Sequence, residues 1–322
     1  MLYPLKFTPI IKERPWGGHR LAEQLGKPNP QGIDRCGESW EIADMGNTQS
    51  VVANGFLAGN TLHELAEVYM GDLLGDRVFE RYGTNFPLLV KLIDAHDDLS
   101  IQVHPDDATA RKLHGSPGKT EMWYVMQAEA DASLISGFNR ELSRSELRQH
   151  IAQGTLPQVL HREAVAPGDA LFIPAGRVHA IGRGVLLAEI QQAADITYRL
   201  FDYNRPDQHG QLRQLHIEQA LEVLDLHPSP TAKLPAPAPN APLLSCPHFS
   251  INRLRLSQPC TRDLGLTDSF AIYICTQGQA TISAPPQNQE PIAMGQTILV
   301  PASVKNISIE PAQQTELLEV YI

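Results

Sequence analysis

Residues 168–179 read GDALFIPAGRVH, and a similar stretch, GQTILVPASVKN, follows at residues 295–306. Both contain a glycine, a short apolar run and a proline at the same offsets, and they lie 127 residues apart. Glycine and proline at these places are typical of the turns that bound a strand. Two copies in register predict that one β unit occurs twice in the chain. The last position differs, since His179 of the first copy corresponds to Asn306 of the second.

The other apolar stretches are also mostly short and bounded by turn residues, and the chain has 23 glycines and 25 prolines. Many short strands between turns predict an all-β-dominated sandwich or barrel. A few helices are expected in addition. Capping boxes at Thr61-x-x-Glu64 and Ser143-x-x-Glu146 each open a helical pattern. A third helical pattern covers residues 215–225.

A segment rich in proline and alanine, HPSPTAKLPAPAPNAP at residues 227–242, separates the two copies of the β unit. This composition favours an extended connector over packed structure. We therefore predict a first β domain with helical additions at residues 1–226, a linker at residues 227–242, and a smaller β domain at residues 243–322.

The overall composition excludes several classes of partner. A net charge of −10 and a sequence pI near 5.6 disfavour nucleic-acid binding, which needs a basic surface. No apolar run approaches the roughly 18 residues of a membrane span, and the N-terminal residues lack the apolar core of a signal peptide. The four cysteines have no paired spacing and are expected to be reduced. We expect a cytoplasmic protein without nucleic-acid or membrane partners, present as a monomer or a weak homo-oligomer.

The stretch SIQVHPDD at residues 100–107 contains a candidate pair of metal ligands. Side chains two positions apart on a strand lie on the same face, so Gln102 and His104 can converge on one point. Taken alone, the pair is more simply explained as two solvent-facing polar residues. Partners are supplied by Glu121, directly before an apolar strand, and by His179, after a strand and a tight turn. Two imidazoles, a carboxylate and an amide oxygen suit Zn²⁺.

These motifs resemble those of the cupin superfamily, whose G-x5-P-x-G-x2-H motif is matched at residues 168–179. More specifically, LSIQVHPDD, GKTEMWYV, PAGRVHAIG and EIQQAADITYRLFDYNR are similar to the type I phosphomannose isomerases in their short bacterial form. The similarity extends from residue 16 through GESWEIAD at residues 37–44 to residue 225, and more weakly beyond. It implies two cupin-type jelly-roll β domains with a few added helices. It also implies one Zn²⁺ per chain, held by Gln102, His104, Glu121 and His179.

The resemblance further implies which residues bind substrate and take part in the reaction. Ser100 matches a serine near the substrate phosphate, and Lys119 matches a lysine two residues before the zinc-binding glutamate. Glu189, Asp195 and Arg199 match charged residues in the segment after the last zinc ligand. The candidate catalytic residues are therefore Lys119, Glu189, Asp195 and Arg199. The candidate substrate-binding residues are Ser100, Lys119 and Arg199.

The activity implied is the interconversion of mannose 6-phosphate and fructose 6-phosphate, in which a hydrogen moves between C1 and C2 through an enediol. This reaction needs a base for the carbon-bound proton and a positive group, zinc or Arg199, for the charge on oxygen. We favour Glu189 as the base, because burial in the strand VLLAEIQ is expected to raise its pKa toward neutrality. Lys119 and Asp195 are alternatives, and Lys119 is also a candidate for binding the phosphate. A salt bridge to Arg199 or Arg183 would instead give Glu189 a structural role.

The sequence departs from the family pattern at several positions. Thr120 replaces the proline of a lysine–proline–glutamate motif, and Ile181 stands where some longer members have a tyrosine. In the second domain Asn306 replaces the zinc-binding histidine, and strand alignment gives Phe270 the position of Glu121. The second domain is therefore expected to bind no metal.

Two other functions are compatible with the fold. One is another metal-dependent cupin enzyme, because a fold alone does not determine a reaction. The other is a non-catalytic sugar-phosphate-binding cupin protein. The second is disfavoured, because all four candidate ligands and the charged residues after them are present in the first domain.

Overall fold

The computed structural model describes residues 2–29, 32–206, 210–229, 231–236, 238, 240–286 and 288–322. Strands account for 42% and helices for 18% of the residues that the structure describes. The predicted fold class, mainly β with a few helices, is therefore confirmed. Three prolines of the predicted linker, Pro230, Pro237 and Pro239, lie outside the described residues.

The strands follow one another closely along the chain. In chain order they are β1 (Ile10–Gly18), β2 (Cys36–Ile42), β3 (Asp44–Met45), β4 (Thr48–Gln49), β5 (Leu88–Ala95), β6 (Ile101–Val103), β7 (Glu121–Ala128), β8 (Ser133–Phe138), β9 (Leu160–Ala164), β10 (Ala170–Ile173), β11 (His179–Ile181), β12 (Val185–Gln192), β13 (Tyr198–Phe201), β14 (Ala241–Ser245), β15 (Ser250–Leu256), β16 (Cys260–Asp263), β17 (Ala271–Gln277), β18 (Gln279–Ala284), β19 (Asn288–Ala293), β20 (Thr297–Val300), β21 (Asn306–Pro311) and β22 (Thr315–Tyr321).

The helices are short. They are α1 (Arg20–Glu23), α2 (Leu62–Leu74), α3 (Asp76–Tyr82), α4 (Asp107–His114), α5 (Arg144–Ala152) and α6 (Ile217–Val223). Helix α6 is shorter than the predicted residues 215–225, because the backbone of His216 is not helical and that of Leu224 is extended. None of the helices in the described part of the chain has the length and apolar content needed to cross a membrane.

Two of the helices begin at the predicted capping boxes. The side chains of Thr61 and Ser143 accept hydrogen bonds from the main-chain N–H groups of Glu64 and Glu146, which start α2 and α5. Helix α4, which was not predicted, begins in the same way at Asp106 of the VHPDD stretch. The four cysteines are free thiols, as expected.

The contacts along the chain define two compact units. The first unit consists of Ile11–Ser39 and Lys91–Leu234, and the second of Met1–Ile10, Trp40–Val90 and Pro235–Ile322. This grouping combines early and late parts of the sequence, whereas the predicted boundaries at residues 226 and 243 follow chain order. Those boundaries stay a prediction.

The core of the first unit lies between two sheets. The larger sheet has the strand order β1-β2-β5-β12-β7-β10, and the smaller has the order β13-β6-β11-β8-β9. One buried cluster includes Trp123 and Leu187 from the larger sheet and Leu134 and Ile181 from the smaller. Apolar side chains from both sheets therefore meet in a sandwich, as in a jelly roll.

The second unit repeats this strand arrangement. Its sheets have the orders β14-β15-β22-β17-β20 and β16-β21-β18-β19. The run β22-β17-β20 corresponds to β12-β7-β10 of the first unit, and β16-β21-β18-β19 corresponds to β6-β11-β8-β9. The two copies predicted from residues 168–179 and 295–306 are therefore confirmed. Ala271 pairs with Val300 as Glu121 pairs with Ile173, so Ala271, and not Phe270, takes the place of Glu121.

Phe270 lies instead between different segments of the second unit. Its ring centroid is 4.5 Å from that of Phe86, and its main-chain N–H donates to the carbonyl of Leu74 at 3.1 Å. Residues from the end of α2 and from the chain before β5 therefore pack on the start of β17. The second unit depends on chain segments that are far apart in sequence.

Candidate active site

Three buried side chains place metal-binding atoms around one point. Nε2 of His104 lies 3.1 Å from Nε2 of His179, and oxygens of Glu121 lie 3.6 Å from the former atom and 3.4 Å from the latter. Ligand atoms placed tetrahedrally around zinc at ordinary bond lengths are about 3.4 Å apart. The triad of His104, Glu121 and His179 is therefore spaced to hold one metal ion.

The hydrogen bonds of the two imidazoles leave their Nε2 atoms as electron-pair donors. Nδ1 of His104 donates to the carbonyl of Ile196 at 2.7 Å, and Nδ1 of His179 donates to the carbonyl of Arg177 at 2.8 Å. Burial lowers the pKa of His104 well below its usual value and that of His179 to about 3, so both rings are neutral. Two facing lone pairs repel each other unless a cation lies between them. The donor set therefore fits a metal ion.

Lys119 lies in direct contact with the triad. Its Nζ is 3.0 Å from Oε2 of Glu121 and 3.0 Å from Nε2 of His104. Burial raises the pKa of Glu121 to about 7, although Lys119 acts in the opposite direction. The ammonium of Lys119 therefore contacts the metal-binding atoms themselves.

Strand pairing places Gln102 and Arg199 beside His179. His179 of β11 pairs with Gln102 of β6, and Gln102 pairs with Arg199 of β13. Residues directly opposite each other in antiparallel strands have their side chains on one face. Oγ of Ser100 lies 3.5 Å from Oε1 of Gln102. The structure thus places the fourth predicted ligand next to the triad.

A cleft of about 970 Å³ opens beside these residues, within the first unit. Its walls include six of the predicted site residues: Ser100, Gln102, Lys119, Glu189, Asp195 and Arg199. Asp195 is exposed, whereas Lys119 and Glu189 are buried. Trp16 also lines the cleft. The volume of the cleft is within the range of sites that enclose a small organic ligand.

Glu189 is held between two partners. Its Oε2 accepts a hydrogen bond from the indole N–H of Trp123 at 3.0 Å, and its Oε1 lies 3.1 Å from Nζ of Lys91. Burial alone would raise the pKa of Glu189, but Lys91 and Lys119 outweigh it, and the pKa lies below its ordinary value. The expected rise toward neutrality is therefore wrong, because a buried lysine supplies a counter-ion. The partner is also neither of the two arginines considered from the sequence.

Sequence reasoning missed several charged residues of the cleft, among them Arg14, Glu38 and Lys91. Arg14 donates two hydrogen bonds to the carboxylate of Glu38, at 2.9 and 3.0 Å. Burial acts to lower the pKa of Lys91, but Glu189 and Glu38 raise it above its ordinary value. The available signal was a lysine inside the mostly apolar strand LLVKLIDA, because a fully buried lysine needs a charged partner.

Arg199 shares the cleft with two further arginines, Arg205 and Arg213. Asp202 accepts hydrogen bonds from Arg205 at 3.1 Å and from Arg213 at 2.6 Å. Burial and the charge of Arg213 lower the pKa of Arg199. Within the described residues, Nε of Arg199 is buried without a hydrogen-bond partner. This group of arginines is therefore suited to bind an anion.

Comparison with known proteins identifies the family. Residues 4–130 match the family described as phosphomannose isomerase type I, catalytic domain. Over 264 residues the chain is 42% identical to mannose-6-phosphate isomerase ManA of Bacillus subtilis (strain 168). The aligned residues make up 79% of this chain and 80% of that relative. The chain belongs to the type I phosphomannose isomerase family.

Similarity to other phosphomannose isomerases extends over nearly the whole chain. Mannose-6-phosphate isomerase of Streptococcus mutans is 35% identical over 311 residues, which is 95% of each chain. The crystal structure of mannose 6-phosphate isomerase from Bacillus subtilis matches 100% of both chains, with a TM-score of 0.89 and 30% identity. The family resemblance noted in the sequence is confirmed, and the cupin-type architecture is confirmed for both copies of the β unit.

Proposed function

We propose that the protein is a zinc-dependent aldose–ketose isomerase that interconverts mannose 6-phosphate and fructose 6-phosphate. The observation that carries this proposal is the buried triad of His104, Glu121 and His179 beside a cleft lined with lysine and arginine side chains. The triad is evidence for a bound metal ion, and the lysine and arginine side chains of the cleft are evidence for a phosphorylated substrate. The relatives named mannose-6-phosphate isomerase support the choice of sugar. We keep the predictions of a cytoplasmic location and of a monomer or weak homo-oligomer.

Zinc is the proposed ion, one per chain, with Gln102 as its fourth protein ligand. Neutral imidazoles and a carboxylate are common zinc ligands, and hydrogen bonds from Nδ1 to carbonyls orient the rings as in other zinc sites. When bound, zinc supplies a positive charge that stabilises the negative oxygen formed as the sugar loses its carbon-bound proton.

For the phosphate group we propose Arg199 and Ser100, with Arg213 as a further partner. Guanidinium groups match the geometry of phosphate oxygens and keep their charge at all relevant pH values. Lys119 is paired with Glu121 and His104, so we assign it to the reacting end of the sugar and not to the phosphate. The substrate would then extend across the cleft, with its C1 and C2 at the triad.

Glu189 is the proposed base, for a reason different from the one inferred from the sequence. Its low pKa keeps the carboxylate ionised at neutral pH, and its two partners fix the orientation of both oxygens. It would take the proton from one carbon and return it to the neighbouring carbon, while Arg199 or Lys119 balances the charge on the sugar oxygens. Lys119 and Asp195 are the alternative bases.

Replacement of Lys119 by methionine tests its assignment to the reacting end. Because the ammonium lies at the triad, we expect kcat to fall by about 10²-fold with little change in KM. Steady-state kinetics of the zinc-loaded variant give both constants. A raised KM with an unchanged kcat would place Lys119 at the phosphate instead.

A coupled assay of mannose 6-phosphate conversion tests the proposed function directly. We expect activity in the protein as purified, loss of activity after chelation, and its return when zinc is added back. Turnover that survives complete removal of metal would contradict a metal-dependent reaction. Absence of turnover in the zinc-loaded protein would contradict the isomerase itself and favour a sugar-phosphate-binding role.

A further inference from the structure

The segment at residues 118–120 carries Lys119 and leads directly into Glu121, and two side chains hold its main chain. The N–H of Gly118 donates to Oδ1 of Asp107 at 2.8 Å, and the N–H of Thr120 donates to Oε1 of Gln192 at 2.9 Å. Nε2 of Gln192 in turn donates to the same Oδ1 of Asp107, at 2.8 Å. The two side chains thus join each other as well as both ends of the segment.

The orientation of the Gln192 amide follows from its partners. The carboxylate of Asp107 accepts and the N–H of Thr120 donates, so one orientation alone satisfies both. Gln192 is buried at the end of β12, and its own main-chain N–H donates to the carbonyl of Thr120 at 3.1 Å. The segment is therefore fixed to β12 by both the main chain and the side chain of one residue.

Gly118 brings the segment against the residues that follow His104. A Cβ atom on Gly118 would lie 2.5 Å from the main-chain nitrogen of Asp107, so only glycine allows this approach. The N–H of Lys119 also donates to the carbonyl of Pro105, the residue next to His104, at 3.1 Å. The contacts at residues 118–120 therefore determine how far Lys119 and Glu121 lie from the first histidine ligand.

We propose that Asp107 and Gln192 are positioning residues of the metal site. They act through the main chain of residues 118–120, and they set the separation of Glu121 from His104. The inference rests on the proposed function, in that it takes the triad to bind zinc. Groups that orient metal ligands in this way change metal affinity by about 10- to 100-fold when they are removed.

The test compares zinc affinities by competition with a chromophoric chelator. We expect Asp107→Ala and Gln192→Leu each to weaken zinc binding by about 10- to 100-fold. Asp107→Asn keeps an oxygen that accepts both hydrogen bonds, so its affinity is expected to stay close to that of the wild type. Asp107 is only half-buried, so its variants keep the test available if Gln192→Leu does not fold.

Asp106→Ala is the matched control. Asp106 caps α4 by accepting a hydrogen bond from the N–H of Thr109 at 2.8 Å. Its side chain takes no part in the hydrogen bonds by which Asp107 and Gln192 hold residues 118–120. Its loss should lower the melting temperature and leave zinc affinity unchanged. If Asp107→Ala and Gln192→Leu both bound zinc as tightly as the wild type, the inference would be overturned but the proposed function would stand. The same holds if Asp107→Asn bound zinc as weakly as Asp107→Ala. A wild-type protein without zinc affinity would refute the proposed function as well.

Discussion

Replacement of His179 by alanine is expected to abolish tight zinc binding and to lower kcat/KM by about 10³-fold, since a bound metal contributes several kcal/mol of transition-state stabilisation. His179 faces both His104 and Glu121, so its loss removes one ligand and leaves the other two without their common partner. Zinc content by elemental analysis and steady-state kinetics check this result.

The control for His179 is a histidine outside the cleft. His150 on α5 hydrogen-bonds Thr155 at 2.8 Å and is not among the described residues that line the cleft. His150→Ala should keep full zinc content and near-normal turnover. Full zinc occupancy in the His179→Ala variant would remove His179 from the ligand set, whatever its activity.

Replacement of Glu189 by glutamine is expected to lower kcat by about 10²-fold or more while zinc content and KM stay close to normal. The amide keeps the shape of the side chain and an oxygen acceptor for the indole N–H of Trp123, but it cannot take a proton from carbon. Kinetics at saturating mannose 6-phosphate, together with exchange of the C2 hydrogen with solvent, measure the chemical step.

The same change removes the carboxylate that lies 3.1 Å from Nζ of Lys91, and the resulting loss of stability must be separated from the loss of the base. Removal of one member of a buried ion pair costs about 3–5 kcal/mol of stability. Thermal unfolding of Glu189→Gln, and of Glu189→Gln combined with Lys91→Met, measures that cost. A stable Glu189→Gln variant with near-normal turnover would exclude Glu189 as the base.

The metal triad was predictable because its signals are local in sequence. The spacing of two residues between Gln102 and His104 predicts a common face, and the turn before His179 follows from glycine and proline at fixed offsets. The repeat in the strand order was predictable for the same reason. Each of these patterns is complete within a dozen residues or so of chain.

The electrostatics of the cleft were not predictable, because they depend on strand pairing between distant segments. Glu189 meets Lys91 only because β12 lies beside β5 in the larger sheet. When Lys91 is not considered, burial is the main influence on the Glu189 carboxylate, and it predicts a raised pKa in place of the lowered one. The role of Gln192 was not predictable for the same reason, because its partners Asp107 and Thr120 lie in distant parts of the sequence.

The packing of Phe270 on Phe86 and Leu74 has a consequence for engineering of the chain. Any chain shortened after residue 234 would keep residues 40–90 but lose the β strands on which they pack within the second unit. Such a fragment would expose aromatic surface and aggregate more readily. Chimaeras between family members should therefore exchange residues 1–10, 40–90 and 235–322 together, as one inseparable module.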